Sequence, residues 1–403
     1  MKSSRIEILD GIRAYSMLLI MGFHIWQQSW LQNLIPSDIL APIGIHNFSL
    51  TFICRTGYVF VDVLLLLSAM CLTLPYVSRG SAFRVFDTAA FYKKRLMRIL
   101  PPYLLCIVIY AVFIVHPNDY TSARPYFEDL LSHLTFTHTF SEAFYFGTKY
   151  PTSLWTLCIE MQFYLIFPML LHFFRRFPLR TWLMLQVISE LFFALFVRTD
   201  DGGVDNMLIN QLPAFLGVFA NGMLCARLYH SITETVNRDN RRAISLLGTL
   251  ISVVSIITVV CMLRDGLNRA ESVQRWQIDY RFIFSVIICV LILSLSQSGG
   301  ALRILFSAKP LRFTAAISYN LYIWHVPVML ELKNLHIPPY PTPESAVTAW
   351  PQSAAREPWH REWQIKYTLL FWLISFIIAA VLTWVFDIIA KKHIGHIKQK
   401  EQT

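Results

Sequence analysis

The chain has 403 residues, of which 55% are hydrophobic, 14% aromatic and 15% charged, with a formal net charge of +10. Soluble domains carry about 25% charged residues; here long apolar runs recur from one end to the other, which excludes an ordinary soluble enzyme and indicates a polytopic membrane protein. The positive charge needs no nucleic acid to explain it, because stretches such as "FYKKRLMRILPPY" and "AKKHIGHIKQK" are what an anionic inner leaflet attracts.

About 20 apolar residues cross the hydrocarbon core as a helix. That length predicts ten spans, at 14–31, 58–76, 99–116, 154–174, 182–197, 208–226, 243–263, 282–297, 313–330 and 367–390. The first is not read as a cleavable signal: Glu7 and Asp10 precede it, Arg13 and His24 interrupt it, and no small-residue cleavage site follows. An even number of spans puts both termini on one side. About two-thirds of the 35 Lys and Arg fall there, which makes that side cytoplasmic.

Two long connections, 117–153 and 331–366, fall on the outer side, the second rich in proline ("IPPYPTPES"). Loops of that length usually carry a function or lack order. Cysteines 54, 71, 106, 158, 225, 261 and 289 lie mostly inside apolar runs without CxxC pairing and read as small core residues. The expected architecture is an all-α polytopic membrane bundle of about ten helices in the plasma (inner) membrane. It is expected to form a single domain over residues 1–403, with no repeat, no separate soluble domain and no metal site.

Ionisable groups inside apolar spans cost on the order of 2.5 to 3.5 kcal/mol each, so each is a site candidate. In "DGIRAYSMLLIMGFHIW", Arg13 and His24 are eleven residues apart, on nearly the same helix face and about 16 Å apart along the axis. Asp62 enters near the outer end of the second span and Glu160 near the outer end of the fourth. In "ISYNLYIWHVPV", Ser318, Tyr322 and His325 form one stripe at i, i+4 and i+7. Four helices thus place His24, Asp62, Glu160 and His325 in one layer, in the middle to outer part of the membrane. Below it, "KKRLMR" sets Arg95 and Arg98 three apart at the foot of the third span. That spacing could form a bidentate phosphate clamp, but for the motif alone cytoplasmic anchoring is the plainer reading.

These blocks, in this order across essentially the whole chain, resemble the acyltransferase-3 family of integral membrane acyltransferases. The blocks are "LDGIRA" with Arg13, ten residues and His24; "GYVFVDVLLLLSA"; Arg95-x-x-Arg98; "WTLCIEMQFYLIFP"; and "ISYNLYIWHVPV". The chain departs from the family pattern in two places. Ala69 stands where the family's "DLFFVLSG" has glycine, and Met161 follows Glu160 where a second acid is common.

The resemblance implies transfer of an acyl group, commonly acetyl, from cytoplasmic acyl-CoA to a hydroxyl of a glycan or other acceptor such as a small molecule. On that footing Arg13, Arg95 and Arg98 would hold the CoA phosphates and His24 would serve as general base, since an unperturbed imidazole pKa near 6.5 suits proton abstraction. Glu160 or Asp62 would orient the imidazole. Trp155, Ser318, Tyr322 and His325 would line the acceptor pocket or steady the oxyanion. Direct attack and an acyl-histidine relay both fit. The alternative is a proton-coupled transporter or flippase, in which the same ionisable layer would carry protons.

Overall fold

The computed structural model describes residues 7–29, 31, 41–44, 51–77, 86–198, 205–235, 240–269, 273–339 and 358–400, and every long element among them is helical. A continuous apolar run that crosses lipid can satisfy its backbone groups within the segment only as a helix. The helices are α1 (Glu7–Ser29), α2 (Thr51–Thr56), α3 (Phe60–Val77), α4 (Thr88–Ile109), α5 (Ala123–Leu134), α6 (Glu142–Tyr145) and α7 (Trp155–Arg176). They continue with α8 (Pro178–Phe192), α9 (Leu212–Thr235), α10 (Arg241–Arg269), α11 (Val273–Gln297), α12 (Gly300–Ser307), α13 (Lys309–Asn334) and α14 (Pro358–Lys400).

Among the described residues nine helical stretches are long and apolar enough to cross a bilayer. They match nine of the ten expected spans. The remaining one, at 313–330, is the core of α13, which at 26 residues has the length but carries more polar side chains. It can do so because it lies inside the bundle: Thr314, Asn320, Tyr322 and His325 are all buried. In the second long connection, 331–366, residues 340–357 lie outside the described residues, and with them all of "IPPYPTPES" after Pro339.

Local signals set several boundaries. Asp87 caps α4, its Oδ1 accepting from the Ala90 amide at 2.9 Å. Pro178 opens α8 at the first helical position, directly after Phe177 closes α7.

α1 is central, packing on α3, α12 and α13, while α9 packs on α3, α8 and α11. Two glycines set the closest approaches. A Cβ on Gly11 would stand 1.9 Å from the Phe306 carbonyl oxygen of α12. One on Gly222 of α9 would stand 2.3 Å from the Leu66 carbonyl oxygen and 2.9 Å from the Ala69 Cβ. The close helix approach that a glycine at position 69 would allow is therefore supplied from the opposite helix, a small-residue contact of the kind membrane helices use.

Polar side chains then pin the helices. Asn221 of α9 accepts from Trp182 and Gln186 of α8, both at 2.8 Å, and donates to Ser285 of α11 at 2.7 Å. With no water in lipid to compete, such bonds fix which faces meet. At the far end of α1, Gln364 of α14 donates to the Ser29 carbonyl (2.7 Å) and Lys333 of α13 to Gln28 (3.0 Å).

Candidate active site

A cleft of about 860 Å³, including the part open to its surroundings, runs between α1, α3, α4, α7 and α13. Helix direction orders its lining. Arg13 lies in the second turn of α1, Arg95 and Arg98 in the early turns of α4, and Cys71 near the C-terminus of α3, so all four share one end. Toward the other end come Ser68, Glu160, Tyr164, Thr156, Ser318 and Tyr322, with Leu64, Leu65 and Leu157 supplying an apolar wall. The result is a pocket with three guanidinium groups at its mouth and hydroxyls and one carboxylate farther in.

The cations are held in different ways. Arg13 donates to Cys71 Sγ at 3.6 Å and stands 3.9 Å from Asp10. The guanidinium carbon of Arg95 lies 5.8 Å from the ring centroids of both Phe91 and Tyr164, a cation–π arrangement that leaves its N–H edge able to meet an anion. Glu160 accepts from Ser68 Oγ at 2.7 Å and from the Tyr164 hydroxyl in a shorter bond.

Tyr322 closes the inner end of the cleft. Its hydroxyl accepts from Thr156 at 2.7 Å and donates to the Ser153 carbonyl at 3.1 Å. Beyond it, along the same stripe of α13, the His325 ring lies 5.5 Å from Tyr322 and 5.1 Å from His24, centroid to centroid. His24 is therefore one ring beyond the cleft lining and not itself part of it. Its side-chain hydrogen bond is to Gln27, one turn further on.

Of the residues picked from sequence, six line this cleft: Arg13, Arg95, Arg98, Glu160, Ser318 and Tyr322. The expected single ionisable layer divides into three groups. His24 meets His325. Glu160 is engaged by Ser68 and Tyr164, and Asp62 is turned away altogether.

Asp62 Oδ2 accepts from Arg281 Nε at 3.0 Å, with each side chain 2% exposed. The Arg281 guanidinium lies 4.2 Å from the Phe215 ring and donates to the Ile209 and Ala214 carbonyls. Among the described residues no carboxylate bonds to His24, so the carboxylate expected to orient it is not supplied by either candidate. The Trp155 ring lies 5.8 Å from Phe215 and outside the lining of this cleft. The reason is azimuthal: spacing along one helix predicts depth, but the direction a side chain points is decided by which neighbour packs where.

Sequence reasoning missed Arg281, Ser68, Tyr164 and Thr156. Arg281 had a readable signal, since a carboxylate buried in a span requires a cationic partner and Arg281 stands at the edge of the apolar run "RFIFSVIICVLIL". The hydroxyls had none, being common helix-lining residues.

In the connection 117–153, Asp129 of α5 accepts from Tyr120 at 2.6 Å and Thr148 at 3.0 Å, and its Oδ1 lies 3.2 Å from His133 Nδ1. His133 stacks on His138 with centroids 4.1 Å apart and planes within 2°. Burial, with the neighbouring His133 next in effect, lowers the His138 pKa to about 3. Burial pushes the Asp129 carboxyl up, but hydrogen bonds led by those from His133 and Tyr120 outweigh it and hold the pKa below the usual value.

A family profile described as an acyltransferase domain matches residues 6–391. The chain is similar to the "Peptidoglycan O-acetyltransferase OatA" of Listeria monocytogenes, 23% identical over 344 residues that cover 80% of this chain and 49% of that protein. It is also similar to the "O-acetyltransferase OatA" of Staphylococcus aureus, 23% identical over 352 residues, covering 82% and 51%. A third relative is the "Putative peptidoglycan O-acetyltransferase YrhL" of Bacillus subtilis, 24% identical over 335 residues, covering 80% and 48%. The chain spans about half the length of the curated relatives it matches. No solved structure gives a significant match.

Proposed function

This chain belongs to the acyltransferase-3 family, and we propose that it moves an acyl group, acetyl in the simplest case, from cytoplasmic acyl-CoA to a hydroxyl acceptor at the outer side of the plasma membrane. Both termini face the cytoplasm in this reading. The acceptor is a hydroxyl of a cell-surface glycan, the class to which the relatives' names refer. The observation that carries the reading is the polarity of the cleft, with Arg13, Arg95 and Arg98 at one end and a wall of hydroxyls leading inward to Tyr322, His325 and His24.

A CoA thioester has the matching polarity. Its phosphates suit bidentate guanidinium contacts at the mouth. The pantetheine arm is long, flexible and amide-bearing, and would find donors and acceptors in Ser68, Thr156, Ser318 and Tyr322. Glu160, held by Ser68 and Tyr164, is a fixed acceptor within the same wall. Holding the donor extended in this cleft directs its reactive carbonyl toward Tyr322, behind which lie His325 and His24, and removes most of its orientational freedom before reaction.

His24 would take the proton of the acceptor hydroxyl as that oxygen attacks the thioester carbonyl. The C–O bond forms, the C–S bond breaks, and the proton passes to the departing thiolate, giving the acyl ester and free CoA. The experiment is to incubate purified protein with acetyl-CoA and a chitooligosaccharide and to measure free CoA thiol and acetylated product. His24→Ala should lose transfer while keeping its thermal stability. Thioester discharge by His24→Ala at the wild-type rate would remove the base assignment, and no discharge by wild type would remove the acyl-CoA donor. A transporter would leave the thioester intact.

A further inference from the structure

His325 was expected in the acceptor pocket, yet it is completely buried and its ring faces His24. Its Nδ1 lies 2.7 Å from the Tyr322 carbonyl oxygen and 3.2 Å from that of Leu321. A carbonyl can only accept, so Nδ1 carries the hydrogen and the neutral ring keeps its lone pair on Nε2. Nε2 is buried with no hydrogen-bond partner among the described residues. A buried acceptor without a donor is costly.

We propose that His325 Nε2 is the acceptor that positions His24: during acyl transfer it takes, in place of the Gln27 side chain, a hydrogen bond from one ring nitrogen of His24 while the other takes the acceptor's proton. The inference rests on the acyltransferase reading above and names the residue that does there what a carboxylate does for many catalytic histidines. The two rings are in contact at 5.1 Å between centroids, inclined by 51°. No carboxylate or cation from a packed element bonds to either ring among the described residues, because Asp62 is committed to Arg281 and Glu160 to Ser68 and Tyr164.

The chemistry follows from the tautomer. When His24 gains the acceptor hydroxyl's proton, both its nitrogens carry hydrogen and the one facing His325 needs an acceptor. His325 Nε2 is that acceptor. Its own Nδ1 hydrogen stays on the Tyr322 and Leu321 carbonyls throughout, so His325 holds the His24 ring at a fixed rotation and neither gains nor loses a proton. The same helix carries Tyr322 into the cleft three residues away. The orientation of the base and the wall of the donor pocket are thus set by a single rigid element.

The test compares His325→Leu, which removes the acceptor, with His325→Gln, whose amide oxygen restores one. Both are made in the full chain and assayed with acetyl-CoA and a chitooligosaccharide, with thermal stability measured alongside. Partners that orient metal-bound histidines cost about 10- to 100-fold when lost, and a contact that orients a histidine base is expected to act on the same scale. The expected result is a kcat lowered by about that factor in His325→Leu, a KM for acetyl-CoA unchanged within about twofold, and recovery of most of the loss in His325→Gln. A raised KM with kcat intact would overturn the proposal in favour of a binding role. Equal impairment of Leu and Gln variants that remain folded would overturn it in favour of simple packing. If His24→Ala itself transfers acetyl normally, the base assignment falls with it, whereas an essential His24 with an indifferent His325 removes this proposal alone.

Discussion

Asp62 on α3 and Arg281 on α11, 219 positions apart in the chain, meet at 3.0 Å with both side chains only 2% exposed. A charge pair taken out of water gains little net stability, but removing one partner strands the other and costs about 3–5 kcal/mol. Asp62→Asn and Arg281→Met should each lower the thermal midpoint severely, while the double variant Asp62→Asn/Arg281→Met should recover part of the loss. Melting followed by size-exclusion chromatography would measure all three. Equal damage in the double variant would mean that the pair's worth lies in the Arg281 contacts to the Ile209 and Ala214 carbonyls.

If the cations at the cleft mouth hold the donor as proposed, their loss should impair donor binding and spare the chemistry. Replacing Arg95 and Arg98 together by Ala removes hydrogen bonds to charged groups worth about 1.5–3 kcal/mol each, so the KM for acetyl-CoA should rise by at least about tenfold with the fold retained. Arg95→Lys should not restore it, because an ammonium neither stacks on Phe91 and Tyr164 as a guanidinium does nor binds phosphate through two parallel N–H groups. An unchanged KM in the double variant would move the phosphate-binding role to Arg13.

Cys71 reports on occupancy. Its thiol lines the cleft beside Arg13, so a bound donor should shield it. In a variant with the other six cysteines changed to Ser, acetyl-CoA should slow labelling of Cys71 by maleimide, read by mass shift. Labelling at the same rate with and without the nucleotide would place the donor elsewhere. Cys71→Ser should keep activity.

Gly222 is a steric requirement at the packing of α9 on α3. A Cβ there meets the Leu66 carbonyl oxygen at 2.3 Å, which is backbone and cannot swing aside. Gly222→Ala should cost about 1–3 kcal/mol, the usual range for overpacking, seen as a lower melting temperature. Gly22→Ala is the control, since a Cβ there finds nothing within 4 Å.

The segment carrying Asp129, His133 and His138 should be acid-sensitive. The His138 pKa is lowered to about 3 in the folded protein, chiefly by burial, against about 6.5 unfolded. Between those values the unfolded chain binds the extra proton, so stability falls as pH drops from about 6.5 toward 3. Asp129 acts in the same sense lower down: its folded pKa is depressed, so its contribution is present above the ordinary carboxylate value and is lost as pH falls through the folded one. His138→Phe keeps a flat ring against His133 and should flatten the upper part of this dependence. Melting temperatures at pH 7, 5 and 4 would show it, and identical slopes in wild type and variant would discount His138.

Much of the molecule was legible in the linear sequence. Apolar length and composition located nine of the spans directly, and the ordered blocks from "LDGIRA" to "ISYNLYIWHVPV" pointed to the family that the match over residues 6–391 establishes. Those are local properties: a residue's burial cost in lipid and its position along a helix do not depend on what lies beside it. Only the folded bundle decided that Asp62 pairs with Arg281, that Glu160 belongs to Ser68 and Tyr164, and that His24 faces His325. Each of those outcomes depends on the rotation of one helix about its axis relative to another. That rotation is set by side chains far apart in the chain, such as Gly222 against Leu66 and Asn221 between Gln186 and Ser285, whose pairing no local spacing encodes.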